Sequence, residues 1–264
     1  MNTSLLTQLS PPDSARRWIG LSAILGAVLA MAELPLYFVV PSCPAAECGV
    51  DTGSLMPDEV ILVRTLCNFL ALTMFLVFMS GVRFVIGRAD ARYEWFGALA
   101  GTAGVAWTIV DMVAKGLEGG TAIRTVAWID PTRSVPTYLL YGSISHLLLL
   151  VFALAFGFGV LRSGALPRWV GWTAFVIAAL HLAAVPSMFA GYDSSQFYAA
   201  NGWGAVASFN GTTALWLAAV GIAVLARKAP SAAESSPAAA SATGPRPDTA
   251  SRPDPAATPS LDLA

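Results

Sequence analysis

The chain has 264 residues, a formal net charge of −1, 12% charged residues and 56% hydrophobic residues. Soluble domains usually carry about 25% charged residues, so this composition excludes an ordinary water-soluble surface and predicts an integral membrane protein. No broad basic face is present, and the composition therefore predicts no nucleic acid partner. The expected partners are membrane lipid and a lipophilic small molecule. The sequence leaves open whether the chain forms a homo-oligomer.

Six apolar runs, each bounded by charge, proline or glycine, are long enough to cross a bilayer core about 30 Å thick as helices. They cover residues 18–40, 60–86, 95–113, 137–161, 169–190 and 204–226. None shows the alternation of a membrane β-strand, and a lipid-facing backbone must satisfy its own hydrogen bonds. The runs predict an all-α fold, a polytopic bundle of six transmembrane helices.

Basic residues predict the orientation of this bundle. Nine of them lie on one side of the predicted bundle and four on the other. Since short cytoplasmic segments are enriched in Lys and Arg, we expect a protein of the inner (plasma) membrane with both termini in the cytoplasm. Residues 1–17 would then be a cytoplasmic segment and residues 18–228 the transmembrane domain. The Pro/Ala/Ser-rich residues 229–264 predict a disordered cytoplasmic tail.

The first run has a second interpretation as a secretory signal peptide. Arg16 and Arg17 precede an apolar stretch that contains the small residues Ala30 and Ala32, spaced as at a cleavage site. The apolar run continues to Val40, which is longer than an ordinary signal core and favours a retained span. The later topology is the same in either case.

Two of the three cysteines, Cys43 and Cys48, lie in a loop that this topology places outside the cell. Two thiols without a nearby histidine make a poor zinc site, whereas extracytoplasmic loops permit disulfides. We therefore predict a disulfide between Cys43 and Cys48 and no metal site.

Polar residues enter all six predicted spans, and most of them lie in the outer half. Ionisable groups are costly in hydrocarbon, so they are expected to face one another or a wet cavity. His146 and His181, the only histidines, each lie nine residues from the outer end of their span. At about 1.5 Å per residue, both are about 13 Å below the surface. The other residues in question are Glu33, Arg64, Asn68, Asp111 and Asn210.

A purely structural role is one interpretation of these groups. Glu33 with Arg64 and Asp111 with Lys115 would form ion pairs that neutralise four charges and fix the helix register. The two level histidines are not needed for this balance, and they favour a functional interpretation.

The first functional hypothesis is an enzyme that performs acid/base chemistry on a lipophilic substrate, as a cyclase or isomerase does. A carboxyl in apolar surroundings can stay protonated near neutral pH, which suits proton addition to an alkene or epoxide. Glu33 and Asp111 are the candidate acids, and His146 and His181 the candidate bases. In general form this resembles small membrane-embedded terpene cyclases. The candidate substrate-binding residues are Arg64, Asn68, Trp107, Tyr141, Asn210 and Trp216.

Other functions use the same groups. Imidazoles such as His146 and His181 ligate haem, but consecutive helices packed about 8 to 10 Å apart leave little room for a macrocycle, and the sequence predicts no cofactor. A non-catalytic accessory or ligand-binding protein would receive a ligand or a partner helix at these residues. A transporter is a further alternative, although the sequence shows no pair of interrupted helices that would favour it.

One turn between predicted spans has the sequence Arg162-Ser-Gly-Ala-Leu-Pro-Arg-Trp-Val-Gly-Trp172. It is similar to a turn in bacterial six-span membrane proteins grouped as a domain of unknown function. The wider similarity, over about residues 15 to 228, is in span count and loop length. This resemblance implies a six-span fold and no catalytic residue.

Overall fold

The computed structural model describes residues 12–38, 58–122, 135–191, 196–200 and 202–227. Helices dominate these residues, and no strand occurs among them. Six helical segments are long and apolar enough to cross a membrane, which confirms the predicted all-α fold with six spans. Cys43, Cys48 and residues 229–264 lie outside the described residues, so the disulfide and the tail stay predictions.

The first three spans are long helices. Helix α1 (Pro12–Glu33) gives way to a 3₁₀ turn (Leu34–Phe38) at Pro35, which has no N–H to continue the α-helical ladder. Helices α2 (Asp58–Ala89) and α3 (Glu94–Ala122) are joined by a short turn in which Asp90 accepts a hydrogen bond from the Arg92 backbone N–H at 3.0 Å.

The last three spans are interrupted near one end. Each combines an α-helix with a short turn of different pitch, and these irregular turns all lie at the end of the bundle that carries the histidines. In chain order the elements are α4 (Val135–Leu139), a π-turn (Leu140–Ile144), α5 (Ser145–Ser163), α6 (Arg168–Ala184), a 3₁₀ turn (Val185–Ala190), a second π-turn (Gly204–Ser208) and α7 (Phe209–Ala226).

The long helices form a ring in the order α7, α1, α2, α3, α5, α6. Glycines permit the closest approaches. A Cβ built on Gly221 of α7 would lie 2.6 Å from the Gly20 carbonyl oxygen of α1, and one on Gly101 of α3 would lie 3.1 Å from the Met79 carbonyl oxygen of α2. The half of the bundle away from the histidines is filled by an apolar core that includes Phe78 and Phe156.

Candidate functional site

A cluster of buried charges lies where α1 ends, α2 begins and α3 ends. Arg64 of α2 is only 2% exposed and forms a hydrogen-bonded ion pair with Oε1 of Glu118 on α3. The Nε atom of Arg64 also lies 4.0 Å from Oε1 of Glu33 on α1. Lys115 Nζ donates to the second carboxylate oxygen of Glu118 at 3.1 Å. Glu118 is therefore the centre of the ion pairing.

Sequence analysis missed Glu118 because the third span was ended at Val113, whereas α3 continues to Ala122. The predicted span therefore leaves out Lys115 and Glu118, both of which are buried. The signal was present in the spacing, since Asp111, Lys115 and Glu118 follow one another at intervals of four and three and share one helix face. The simple pairing of Glu33 with Arg64 and of Asp111 with Lys115 is thus incomplete without Glu118.

Asp111 lies on the same face of α3 and is partly buried. One of its carboxylate oxygens, Oδ1, accepts a hydrogen bond from the hydroxyl of Ser145, the first residue of α5. Ser145 Oγ is also 3.0 Å from the Leu140 carbonyl oxygen in the preceding π-turn. The Ser145 hydroxyl has a single hydrogen, which it can donate either to Asp111 or to this carbonyl.

A cavity of about 80 Å³ opens between α1, α2, α3 and α7 beside these charges. Space of about 10–15 Å³ is enough for one water, so the cavity holds several waters or a small polar group. It is well below the roughly 300–1,000 Å³ of a site that encloses a drug-sized molecule. Its wall includes Glu33, Asn68, Phe75, Trp107, Asp111, Lys115, Asn210 and Thr213.

The wall presents two acceptor oxygens that accept no hydrogen bond from the described residues. Glu33 Oε1 and Asn210 Oδ1 are buried, and neither has a hydrogen-bond partner among the described residues. A buried acceptor without a donor costs about 1–3 kcal/mol, and more when it is charged. These oxygens favour a guest that donates hydrogen bonds, whereas Trp107 Nε1, buried in the same wall and also without a hydrogen-bond partner among the described residues, is a donor.

His146 and His181 form a buried pair behind this wall. Their Nδ1 atoms are 2.7 Å apart, and both side chains are 0% exposed. His146 Nε2 lies 3.0 Å from the Ala205 carbonyl oxygen, and His181 Nε2 lies 2.8 Å from Thr213 Oγ1. The histidines are absent from the cavity lining, which Thr213 joins. They meet each other, as their equal depth suggests, and reach the cavity through Thr213.

The hydrogen bonds of His146, His181 and Thr213 limit the positions that their hydrogens can take. The Ala205 carbonyl only accepts, so His146 Nε2 carries a hydrogen. With both rings neutral, His146 Nδ1 accepts from His181 Nδ1–H, and His181 Nε2 accepts from the Thr213 hydroxyl. If Thr213 instead donates to the Phe209 carbonyl, 2.9 Å away, His181 Nε2 must donate and the pair holds one additional proton. The direction of the Thr213 hydroxyl is thus coupled to the protonation of the pair.

The histidine pair also positions part of the cavity wall. Ala205 belongs to the second π-turn, whose neighbouring residues Val206 and Ala207 line the cavity. The hydrogen bond from His146 Nε2 to the Ala205 carbonyl connects α5 to this turn. Fully satisfied buried polar groups of this kind fix one arrangement of the surrounding backbone.

The structure separates the remaining predicted binding residues. Asn68, Trp107 and Asn210 line the cavity, whereas Arg64 lies beside it in the charge cluster. Trp216 is buried away from the cavity, where its Nε1 donates to Thr173 Oγ1 at 3.0 Å. The side chain of Tyr141 lies outside the described part of the chain.

The imidazole geometry does not fit an iron or another metal ion held between the two rings. An ion ligated by both at about 2.0 Å would hold the nitrogens about 4 Å apart, and the Nδ1 atoms of His146 and His181 are 2.7 Å apart. Among the described residues, no group of three or more His, Cys, Asp or Glu side chains is arranged to hold a metal ion. The pair is a hydrogen-bonded unit in this structure.

Comparisons with protein-family models, with curated proteins and with solved structures found no match for the chain. The site is therefore interpreted from its own geometry.

Proposed function

We propose that the protein is a membrane-embedded binding protein whose cavity takes a small cationic group, such as the ammonium head of an amine. The observation that carries this proposal is Oε1 of Glu33, which has no hydrogen-bond partner among the described residues and lines the cavity together with Asp111. An ammonium group provides up to three N–H donors and one positive charge. It would satisfy these oxygens where a neutral apolar guest would not.

The charge balance supports a cation. The described cluster contains three carboxylates, Glu33, Asp111 and Glu118, and two basic side chains, Arg64 and Lys115, so three minus two leaves one formal negative charge when all are ionised. A buried charge is stable only when it is paired and hydrogen-bonded. A cationic guest beside Asp111 would supply the missing positive charge.

The aromatic part of the wall supports the same guest. Phe75 and Trp107 line the cavity with their ring centroids 5.8 Å apart. The faces of such rings attract ammonium groups, with about 0.5–2 kcal/mol for each favourable contact. A volume of about 80 Å³ admits the head of an amine and not a long hydrocarbon body.

Replacing Asp111 by Asn is expected to weaken amine binding by roughly 30-fold or more, since removing one partner of a buried charge pair costs about 2 kcal/mol or more. Asn keeps the shape of the side chain and its hydrogen bond to Ser145. Methylammonium and tetramethylammonium chloride would be titrated into the detergent-solubilised protein, with binding followed by calorimetry.

The matched control is Asp90→Asn at the opposite end of the bundle. The hydrogen bonds from Arg92 hold the pKa of the Asp90 carboxyl below its usual value, so this half-buried residue also carries a full negative charge near neutral pH. The control should bind both amines as the unchanged protein does. Equal binding by Asp111→Asn, or binding of neither amine to the unchanged protein, contradicts the proposal.

A second candidate function is acid/base chemistry on a lipophilic substrate whose reactive end enters the cavity. The observation that favours it is Thr213, which lines the cavity and hydrogen-bonds His181, so that its hydroxyl connects the cavity to the histidine pair. Glu33 and Asp111 are the acids of this proposal. The histidines would accept a proton through Thr213 instead of touching the substrate.

Thr213→Val distinguishes the two functions. It removes the hydroxyl connection and should abolish turnover of a co-purified compound, whereas Thr213→Ser should preserve it. The measurement is mass spectrometry of the compound after incubation with each variant. Unchanged composition with the unmodified protein as well as with both variants would leave binding as the function and reject the enzyme.

We also propose that the protein lies in the plasma membrane with both termini in the cytoplasm, on the nine-to-four asymmetry of basic residues. A cysteine introduced as Ser241→Cys into a cysteine-free background should resist an impermeant maleimide in intact cells. A cysteine introduced as Asp51→Cys, on the opposite side in this topology, should react. Labelling at position 241 in intact cells would overturn this orientation.

A further inference from the structure

An open groove of about 520 Å³ lies between α6 and α7 at the end of the bundle opposite the polar cavity. Small side chains of α7, among them Ala219 and Ala223, form its floor. Ile222 and Trp169 form its rim, and they are 58% and 46% exposed. The volume lies in the roughly 300–1,000 Å³ range of sites for small organic ligands, and the surface is apolar.

Positive charge gathers at the mouth of this groove. Arg227 lines it, is exposed, and donates from Nη1 to the Gly164 carbonyl oxygen at 2.7 Å. Arg162 and Arg168, at the end of α5 and the start of α6, are also exposed. Residues 145–191 and 202–227 contain no Asp or Glu, so no carboxylate of these segments balances the three arginines.

Two other basic residues at the same end, Arg83 and Arg92, are paired with described carboxylates. Arg83 Nη2 lies 2.6 Å from a carboxylate oxygen of Glu94, and Arg92 Nη2 lies 2.8 Å from one of Asp90. Arg162, Arg168 and Arg227 form no such ion pair among the described residues, so positive charge is left beside the groove. The first turn of α6 adds to it, because its N-cap residue Pro167 lines the groove and offers no side-chain cap to the helix N–H groups.

We propose that this groove binds an anionic phospholipid, with one acyl chain along Ala219 and Ala223 and the phosphate beside Arg227. The inference is independent of the function proposed for the polar cavity. A lipid is the occupant that fits because the groove opens sideways between two membrane-spanning helices and carries exposed apolar residues at its rim. Trp169 lies at the start of its span, where an indole suits the headgroup level of a bilayer. Basic pockets between spans recognise anionic headgroups through the same combination of chain contact and charge.

The test compares binding of phosphatidylglycerol and phosphatidylcholine to the full chain in detergent by native mass spectrometry. Each basic residue near an anionic headgroup contributes about fivefold to affinity. We expect Arg227→Gln to lower the preference for phosphatidylglycerol about fivefold. Ala223→Phe, which fills the groove, should lower retention of both lipids.

Arg88→Gln is the matched control, because Arg88 is exposed at the same end of the bundle, on α2, and packs over the Phe84 ring. It should leave the lipid preference unchanged, and both arginine variants should unfold at the temperature of the unmodified protein. An equal effect of Arg88→Gln would show a general attraction of the basic end and would overturn the site. An unchanged preference in Arg227→Gln, or unchanged retention in Ala223→Phe, would overturn it as well.

Discussion

Replacement of Arg64 by Met is expected to lower the free energy of unfolding by about 3–5 kcal/mol, the cost of removing one partner of a buried ion pair. Arg64 is 2% exposed and meets both Glu118 and Glu33, so its loss leaves two carboxylates with one basic side chain of the described cluster, Lys115. Met has a similar length and fills the same space. Unfolding in mixed detergent micelles, followed by circular dichroism, measures the change.

The control is Arg83→Met, which breaks an exposed pair. Arg83 and Glu94 are 64% and 44% exposed at the side chain, and such pairs contribute about 0–1 kcal/mol. The double variant Arg64→Met with Glu118→Gln restores the net charge of the unmodified cluster and should recover part of the lost stability. A double variant that is as unstable as the sum of the two single variants would show that the pair is not coupled.

Replacement of His146 by Leu is expected to lower the free energy of unfolding by about 2–4 kcal/mol. It removes the donor to the Ala205 carbonyl and the partner of His181 Nδ1, and each unsatisfied buried group costs about 1–3 kcal/mol. Leu is similar in size, so little of the loss would come from a cavity. Because the second π-turn loses its connection to α5, affinity at the cavity should also fall.

Thr73→Val is the comparison for this variant. The Thr73 hydroxyl is exposed and donates to the Phe69 carbonyl oxygen of its own helix, α2, at 2.7 Å, so its removal should change stability by less than about 0.5 kcal/mol. If His146→Leu lowers the free energy of unfolding by less than about 0.5 kcal/mol, the hydrogen bonds of the histidine pair do not hold the second π-turn in place.

The six spans were predictable because lipid imposes a simple condition on sequence. A helix that crosses a bilayer needs about 20 apolar residues, and the predicted runs 60–86 and 204–226 differ little from the observed Glu59–Ala89 and Gly204–Ala226. The exception, the end of α3 at Ala122 instead of Val113, arises where charges pair with one another inside the bundle. A prediction from apolar residues alone places the end of the span at such a buried ion pair, although the helix continues through it.

Part of the site was predictable in the same way. Ionisable side chains are costly in the hydrocarbon of a membrane, so Asp111, Glu33 and the histidines are identified as groups that need partners. Their depth along each helix identifies the end of the bundle at which they meet. Asn68, Trp107 and Asn210 line the cavity with the two carboxylates, as expected of residues at that depth.

The sequence by itself determined which residues require partners and at what depth, because both follow from composition and a rise of about 1.5 Å per residue. Only the tertiary structure decided which partner each one finds. It made Glu118 the centre of the ion pairs, placed the histidines behind Thr213, and supplied the Ala205 carbonyl as an acceptor. The physical reason is that rotation and order of the helices around the ring are set by packing, such as the contact of Gly20 with Gly221, and not by the depth of any one residue.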